Sequence, residues 1–289
     1  MHTFRSGLVV LLLGLLVSSV HAQTSRTVDR SFDLASDGTV TLDAYKGRID
    51  VQTWDRDRVQ VAVTITGEKQ ENVDDTRIRF DSDADRLEIE TDYDELEDDN
   101  KLFGLFSFGS IDRPSTEYTL TIPRGATLAV DTYSATTTIA ELAGELRFDA
   151  YSARFSVDRL TGALRADTYS GDVEVGRAEG PIEADTYSGH LQADSIAGPV
   201  QFSTYSGSAT LAFATLADDC SFDSYSGNVM VTLPATVGAV VETEEDALET
   251  DLPVRLEQIG DDRIRATIGD GGPRLRFDTY SGTLSVRSR

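Results

Sequence analysis

The sequence predicts an all-β protein, a parallel β-solenoid with rungs of about 18 residues, and three observations carry that prediction. One phrase recurs: Asp131-Thr-Tyr-Ser, Asp149-Ala-Tyr-Ser, Asp167-Thr-Tyr-Ser-Gly, Asp185-Thr-Tyr-Ser-Gly, Ser203-Thr-Tyr-Ser-Gly and Asp223-Ser-Tyr-Ser-Gly follow one another. Asp278-Thr-Tyr-Ser-Gly stands near the end and a weaker copy, Asp43-Ala-Tyr-Lys-Gly, near the start. The tyrosines of the run are separated by 18, 18, 18, 18 and 20 residues. Around each of them the apolar residues alternate, which is the period of a strand and not of a helix.

The alternation fixes which side chains face inward. Five residues before each tyrosine stand Leu128, Leu146, Leu164, Ile182, Val200 and Cys220, and three before it Val130, Phe148, Ala166, Ala184, Phe202 and Phe222. Four residues after it come Thr137, Phe155, Val173, Leu191, Ala209 and Val229, and six after it Ile139, Val157, Val175, Ala193, Leu211 and Val231. Side chains alternate across a strand, so these columns point inward and stack from rung to rung. A single rung cannot bury its apolar face; the stack can. Cys220 replaces an aliphatic residue in such a column and reads as a small core residue. The glycine after Tyr-Ser reads as the residue that permits a positive φ at a tight corner. A second corner near Leu142, Leu160, Ala178 and Ile196 is marked by Gly144, Gly162, Gly180 and Gly198. An eighteen-residue period also fits three hexapeptides of a left-handed helix, but no apolar residue recurs at every sixth position. The preference for right-handed crossovers gives the coil its expected hand.

In chain order, residues 1–22 read as a signal peptide. Arg5 supplies the positive end, residues 7–17 the apolar stretch, and Val20-His21-Ala22 the cleavage site. The stretch falls short of the ~20 residues of a membrane span, so no transmembrane segment is expected after cleavage. Residues 23–126 read as irregular opening rungs with a loop over 92–115, acidic in its first half and apolar over residues 102–108. Residues 127–232 are the regular rungs. Residues 233–289 hold an acidic excursion and a closing rung. The chain is therefore expected in the periplasm, at the cell surface or outside the cell. Its one cysteine rules out an intramolecular disulfide.

Charge narrows the partners. Fifty acidic residues against 26 basic ones give a net charge of -24, a field that repels phosphate backbones and excludes nucleic acid. Asp outnumbers Glu 33 to 17, and Lys46, Lys69 and Lys101 are the only lysines. Such dense short carboxylates suit either a surface working in high salt or an ordinary acidic exported protein.

Repeated strands closing on Thr-x-Ser-Gly, preceded by the Gly-Arg-Ile-Asp-Val rung at residues 47–51, resemble the bacterial putative-adhesin family of β-strand-repeat proteins. The ending at residues 272–282 is similar to that family's closing rung. The resemblance covers roughly residues 35–289. It implies a β-solenoid, exported or envelope-associated, and brings no catalytic residues with it.

The candidate site is an outward ladder. Tyr133, Tyr151, Tyr169, Tyr187, Tyr205, Tyr225 and Tyr280 lie between inward Thr and Ser and should project from one face at rung spacing, ~4.8 Å. Asp131, Asp149, Asp167, Asp185, Asp223 and Asp278 stand two residues earlier on the same face. The tyrosines form either a stiffening ladder or a strip that contacts a surface glycan or an envelope protein. The aspartates form either a solvated acidic face or a series that calcium could bridge. The Asp81-Ser-Asp-Ala-Asp stretch begins like a calcium loop but lacks the glycine at position six and the glutamate at position twelve. No metal site, no cofactor and no catalytic residue is expected. With two of three histidines in the signal segment, only His190 remains, read as solvent-facing, and no nucleophile elbow, P-loop or zinc spacing occurs. The expected function is a non-catalytic, adhesin-like binding or structural module. The alternatives are a polysaccharide-active enzyme on a β-helix and an envelope scaffold that assembles through its ends.

Overall fold

Alternating apolar residues leave every strand with one face that needs cover, and this chain covers it by stacking its repeats into two facing parallel sheets. The computed structural model describes residues 23–96 and 113–289; residues 1–22, expected to be a signal peptide, and the apolar stretch 102–108 lie outside the described residues. In one sheet Thr127–Thr132 pairs with Leu146–Ala150, followed by Leu164–Thr168, Ile182–Thr186, Val200–Thr204 and Cys220–Ser224. In the other, Thr136–Leu142 is followed by Arg154–Leu160, Asp172–Ala178, His190–Ile196, Ser208–Phe213 and Val229–Leu233. Partners are residues one period apart, such as Leu146 opposite Leu164 and Phe155 opposite Val173. The repeat in the sequence is thus the register of the sheet.

That register stacks the inward columns as predicted, and they form one buried cluster through the body. Side chains from the two sheets meet at its centre: the rings of Phe148 and Phe155 lie 4.7 Å apart. In two rungs a small residue stands with a larger one, Ala184 with Leu191 and Phe202 with Ala209, and all four are buried. Cys220 is buried in its column, and burial pushes its thiol up to about 11, which leaves it protonated and inert at neutral pH.

Glycine serves the stack in a way different from the sequence reading. Gly189 and Gly162 do not adopt positive φ, nor do the other corner glycines of the regular rungs. Each lies against the previous rung instead: a Cβ on Gly189 would run into the carbonyl oxygen of Gly171, and one on Gly162 into that of Gly144. The constraint is the approach of backbones one rung apart, not the torsion of the corner.

Both ends depart from the repeat. At the start, Arg86–Asp92 and Ser115–Pro123 add a parallel rung against Thr39–Ala44 and Gly47–Trp54. Antiparallel strands then take over, with Arg77–Ser82 on one sheet and Arg58–Gly67 and Thr24–Asp33 on the other. The Asp81–Asp85 stretch ends one strand and makes the hairpin turn over residues 83–85, where Asp83 Oδ1 accepts the backbone N–H groups of Asp85 and Arg86 at 2.9 and 2.8 Å. At the far end the last strands in sequence, Arg274–Thr279 and Leu284–Ser288, insert directly against Cys220–Ser224 and Val229–Leu233. The excursion that precedes them, with Ala239–Glu244 and Leu248–Thr250, is displaced outward to form the rung beyond. Val254–Gln258 and Arg263–Ile268 finish that sheet in antiparallel fashion.

Truncating a stacked core ring leaves a cavity, so Phe202→Ala is expected to cost ~3–5 kcal/mol in thermal or denaturant unfolding. A loss below ~1 kcal/mol would place Phe202 on the solvent side. Gly189→Ala should also lower the melting temperature, although alanine tolerates the backbone angles there. An unchanged melting temperature would mean that the rungs can part without cost.

Candidate functional site

The outward ladder begins with the corner that each repeat builds. The hydroxyl of the Thr before Tyr turns inward and accepts the N–H of the glycine three residues on: Gly189 to Thr186 Oγ1 at 2.7 Å, Gly207 to Thr204 Oγ1 at 2.7 Å and Gly282 to Thr279 Oγ1 at 2.6 Å. Ser224 plays the same part for Gly227. This side-chain turn explains the Thr or Ser at that position in these rungs; Ala44 and Ala150 stand there in two others. The corners also bond to one another, Tyr169 N–H to the Ala150 carbonyl and Ser170 N–H to that of Tyr151, both at 3.0 Å. The intervening tyrosine is left pointing out, at the same place on every rung.

Eight rings form the resulting column. Tyr45, Tyr133, Tyr151, Tyr169, Tyr187, Tyr205, Tyr225 and Tyr280 stack in that order with centroids 4.8–5.0 Å apart and planes within 8° of parallel. Tyr45 belongs to the column although it lies outside the regular run; the Asp43-Ala-Tyr-Lys-Gly copy was its signal. In such a column the ring faces cover one another. What solvent meets is ring edges and phenol hydroxyls.

The aspartates form a second column beside the first, with Asp131, Asp149, Asp167 and Asp185 in direct register and Asp223 opposite Asp278. Ser203 interrupts the row between Asp185 and Asp223. Partial burial, and next to it the charge of neighbouring carboxylates, raises the pKa of Asp43, Asp131 and Asp167 above the ordinary value. Asp223 is raised by burial and by Asp278. Asp278 goes the other way: burial opposes it, but hydrogen bonds from Arg263 and Arg276 hold its carboxyl below the usual range.

Between the two columns runs an open groove of about 1020 Å³, from Asp149 at one end to Tyr280 at the other. Of the predicted residues it takes in Tyr169, Tyr187, Tyr205, Tyr225 and Tyr280 with Asp149, Asp167, Asp185, Asp223 and Asp278. Tyr133, Tyr151 and Asp131 continue the columns but do not line it. Glu244, which the sequence did not single out, joins the acidic wall because the excursion folds back as the next rung. His190 is half-buried on the other sheet and hydrogen-bonds through Nδ1 to Ser208 Oγ at 2.8 Å, so it is a partner in a rung-to-rung contact and not a free surface imidazole. Among the described residues no group of three His, Cys, Asp or Glu side chains is arranged to hold a metal, and no helix is long and apolar enough to cross a membrane.

The first end of the column is closed. The Arg113 guanidinium lies over Tyr45 at 4.6 Å, and Tyr93 meets the same ring edge-on at 6.3 Å. Burial pushes the Tyr93 hydroxyl up to about 12. The other end is open, and Tyr280 is 77% exposed against 45–47% for the rings of the run.

Comparison with known proteins places this geometry. Residues 40–287 match the family described as Toastrack DUF4097. No curated protein matches the chain. Several solved structures are similar to it. One, described as a putative adhesin from Bacteroides fragilis NCTC 9343, is 11% identical, with 91% of this chain and 97% of that one covered at a TM-score of 0.48. A putative lipid binding protein from Parabacteroides distasonis ATCC 8503 is 11% identical, covering 91% and 96% at 0.42. A putative adhesin from Parabacteroides merdae ATCC 43184 is 9% identical, covering 91% and 95% at 0.33. At these TM-scores the likenesses add nothing to what the match over residues 40–287 establishes.

The acidic column makes a prediction about pH. A carboxyl raised in the folded state stabilises the fold below its unfolded value and loses that contribution as pH rises through the folded value. Asp43, Asp131, Asp167 and Asp223 are of this kind. Asp278 and Asp219, both held low, lose theirs only as pH falls below the ordinary value. The melting temperature should therefore rise as pH falls through the raised carboxyl values to the ordinary Asp value of about 3.9 and fall again in stronger acid. Added NaCl at neutral pH should raise it by screening. Asp167→Asn should melt higher than the parent at pH 7 and show a shallower pH dependence. Identical profiles would remove the like-charge repulsion from the account.

Proposed function

Since the chain belongs to the Toastrack DUF4097 family, and since its solenoid carries an open groove between a tyrosine and an aspartate column, we propose that it is an exported, non-catalytic, adhesin-like binding module of the cell surface or envelope. The groove is where its partner lies. Export rests on the signal segment at residues 1–22.

The continuity of the groove carries the proposal. It repeats the same two side chains across several rungs without narrowing to a point, the shape of a surface for an elongated partner and not of a pocket for one small molecule. The walls select its chemistry. Sugars bind aromatic residues through ring faces, and here neighbouring tyrosines cover those faces. Edges, hydroxyls and a row of carboxylates remain, which suits an extended, basic protein segment.

The test uses mature protein, residues 23–289, and a triple variant, Tyr169→Ala, Tyr187→Ala and Tyr205→Ala, that keeps the net charge. An acetylated peptide of alternating Lys and Gly should bind the parent at least ~10-fold tighter than the variant, a difference of ~1.4 kcal/mol, while circular dichroism shows both folded. Equal binding would reject the groove. Glycan-array binding that depends on the same tyrosines would change the partner class, and release of reducing ends from a polysaccharide would overturn the non-catalytic role.

A further inference from the structure

The two ends of the tyrosine column are built alike, and only one is filled. At the first end, Tyr45 carries Tyr133 on one face and the Arg113 guanidinium on the other, at 4.9 and 4.6 Å. The rung beyond it sets Glu90 opposite Asp43. At the far end Tyr280 carries Tyr225 on one face at 5.0 Å. The rung beyond it runs in register with Glu242 opposite Arg276, which brings Glu244 alongside Asp278. Arg263 spans these two carboxylates, at 3.6 Å from Glu244 and 2.5 Å from Asp278. Among the described residues nothing stacks on the second face of Tyr280, and its exposure of 77% reflects that.

The next rung leaves this face open for a definite reason. From Glu242 to Leu248 it takes six residues to turn the corner that the closing rung turns in eight, from Arg276 to Leu284. Its corner is the 3₁₀ turn Glu245–Ala247, which contains no aromatic residue. The solenoid therefore continues past Tyr280 while the corner draws back, and the ring stands on a step. A second copy of the column cannot dock there flush, because the strands of the outer rung are in the way. A single planar group can.

We propose that the open face of Tyr280 is an arginine subsite, which takes the guanidinium of an Arg side chain presented by a partner segment lying in the groove. A guanidinium is planar and weakly hydrated, so it stacks on an aromatic face with little loss of solvation. Arg113 on Tyr45 displays that geometry within this same column. The net charge of -24 draws the cation in. Arg263 and Arg276 already neutralise Asp278 and Glu244 locally, so the subsite recognises the plane of the group more than its charge. Arginine should accordingly be preferred to lysine.

This subsite rests on the groove as a binding surface only for its affinity, and the experiment separates the two. With tyrosine rings isotopically labelled, N-acetyl-arginine amide at millimolar concentration should shift the ring resonances of Tyr280 and leave those of Tyr169 in place. N-acetyl-lysine amide should shift Tyr280 less. No selective shift of Tyr280, or an equal shift with the lysine compound or with a methyl glucoside, overturns the subsite whatever becomes of the groove. In a second arm, exchanging one Lys of the basic peptide for Arg should tighten binding by roughly 3–10-fold. Tyr280→Ala should erase that gain, so that the Arg-containing and all-Lys peptides bind the variant equally, and Tyr280→Phe should keep it. A gain that survives Tyr280→Ala rejects the subsite. Loss of Lys-peptide dependence on Tyr169, Tyr187 and Tyr205, with the Tyr280 shift intact, rejects only the groove.

Discussion

Parallel pairing at one-period register is the constraint on which the rest of this molecule depends. Once Leu146 lies opposite Leu164 and Leu164 opposite Ile182, every other position must also meet its equivalent a rung away. Apolar positions become continuous buried columns, corner glycines become points of backbone contact, and the tyrosines are brought to within aromatic stacking distance. None of these features can be changed alone, because all share one spacing.

The same register sets stabilising and destabilising columns side by side. Stacked Leu, Val and Phe remove apolar surface from water, and stacked Tyr adds a modest attraction at each step. Stacked Asp does the opposite; burial first, and neighbouring carboxylates after it, raise the pKa of Asp43, Asp131, Asp167 and Asp223. Arginines relieve the row in places, Arg165 beside Asp167 and Glu183, and Arg276 beside Asp278. Exposed pairs of this kind contribute little to stability. A fold held by its core can carry an unfavourable surface row.

The ends obey different rules because a stack must stop. At the start, antiparallel strands finish both sheets, and a loop residue, Arg113, closes the aromatic column. At the far end the closing rung slips in beneath the excursion, so that antiparallel strands again finish one sheet while the column is left uncapped. The asymmetry between Tyr45 and Tyr280 follows from corner length and not from the rings themselves.

Much of this was legible in the sequence, and for one reason: a repeat writes each contact several times. Period, inward columns, outward Tyr and Asp rows and the buried Cys220 all follow from alternation at a fixed spacing. What the sequence by itself could not decide were contacts made once. The insertion of residues 274–288 ahead of the excursion places Glu244 in the groove and leaves Tyr280 open, and no periodicity announces it. Arg113 reaches Tyr45 from 68 positions away. The corner glycines were foreseen by type but for the wrong cause, since the clash that requires them lies with the rung below and not in their own torsions. Local chemistry determined the rung. Only the packing of whole rungs against each other decided which faces are covered, which charges meet and which ring is left exposed.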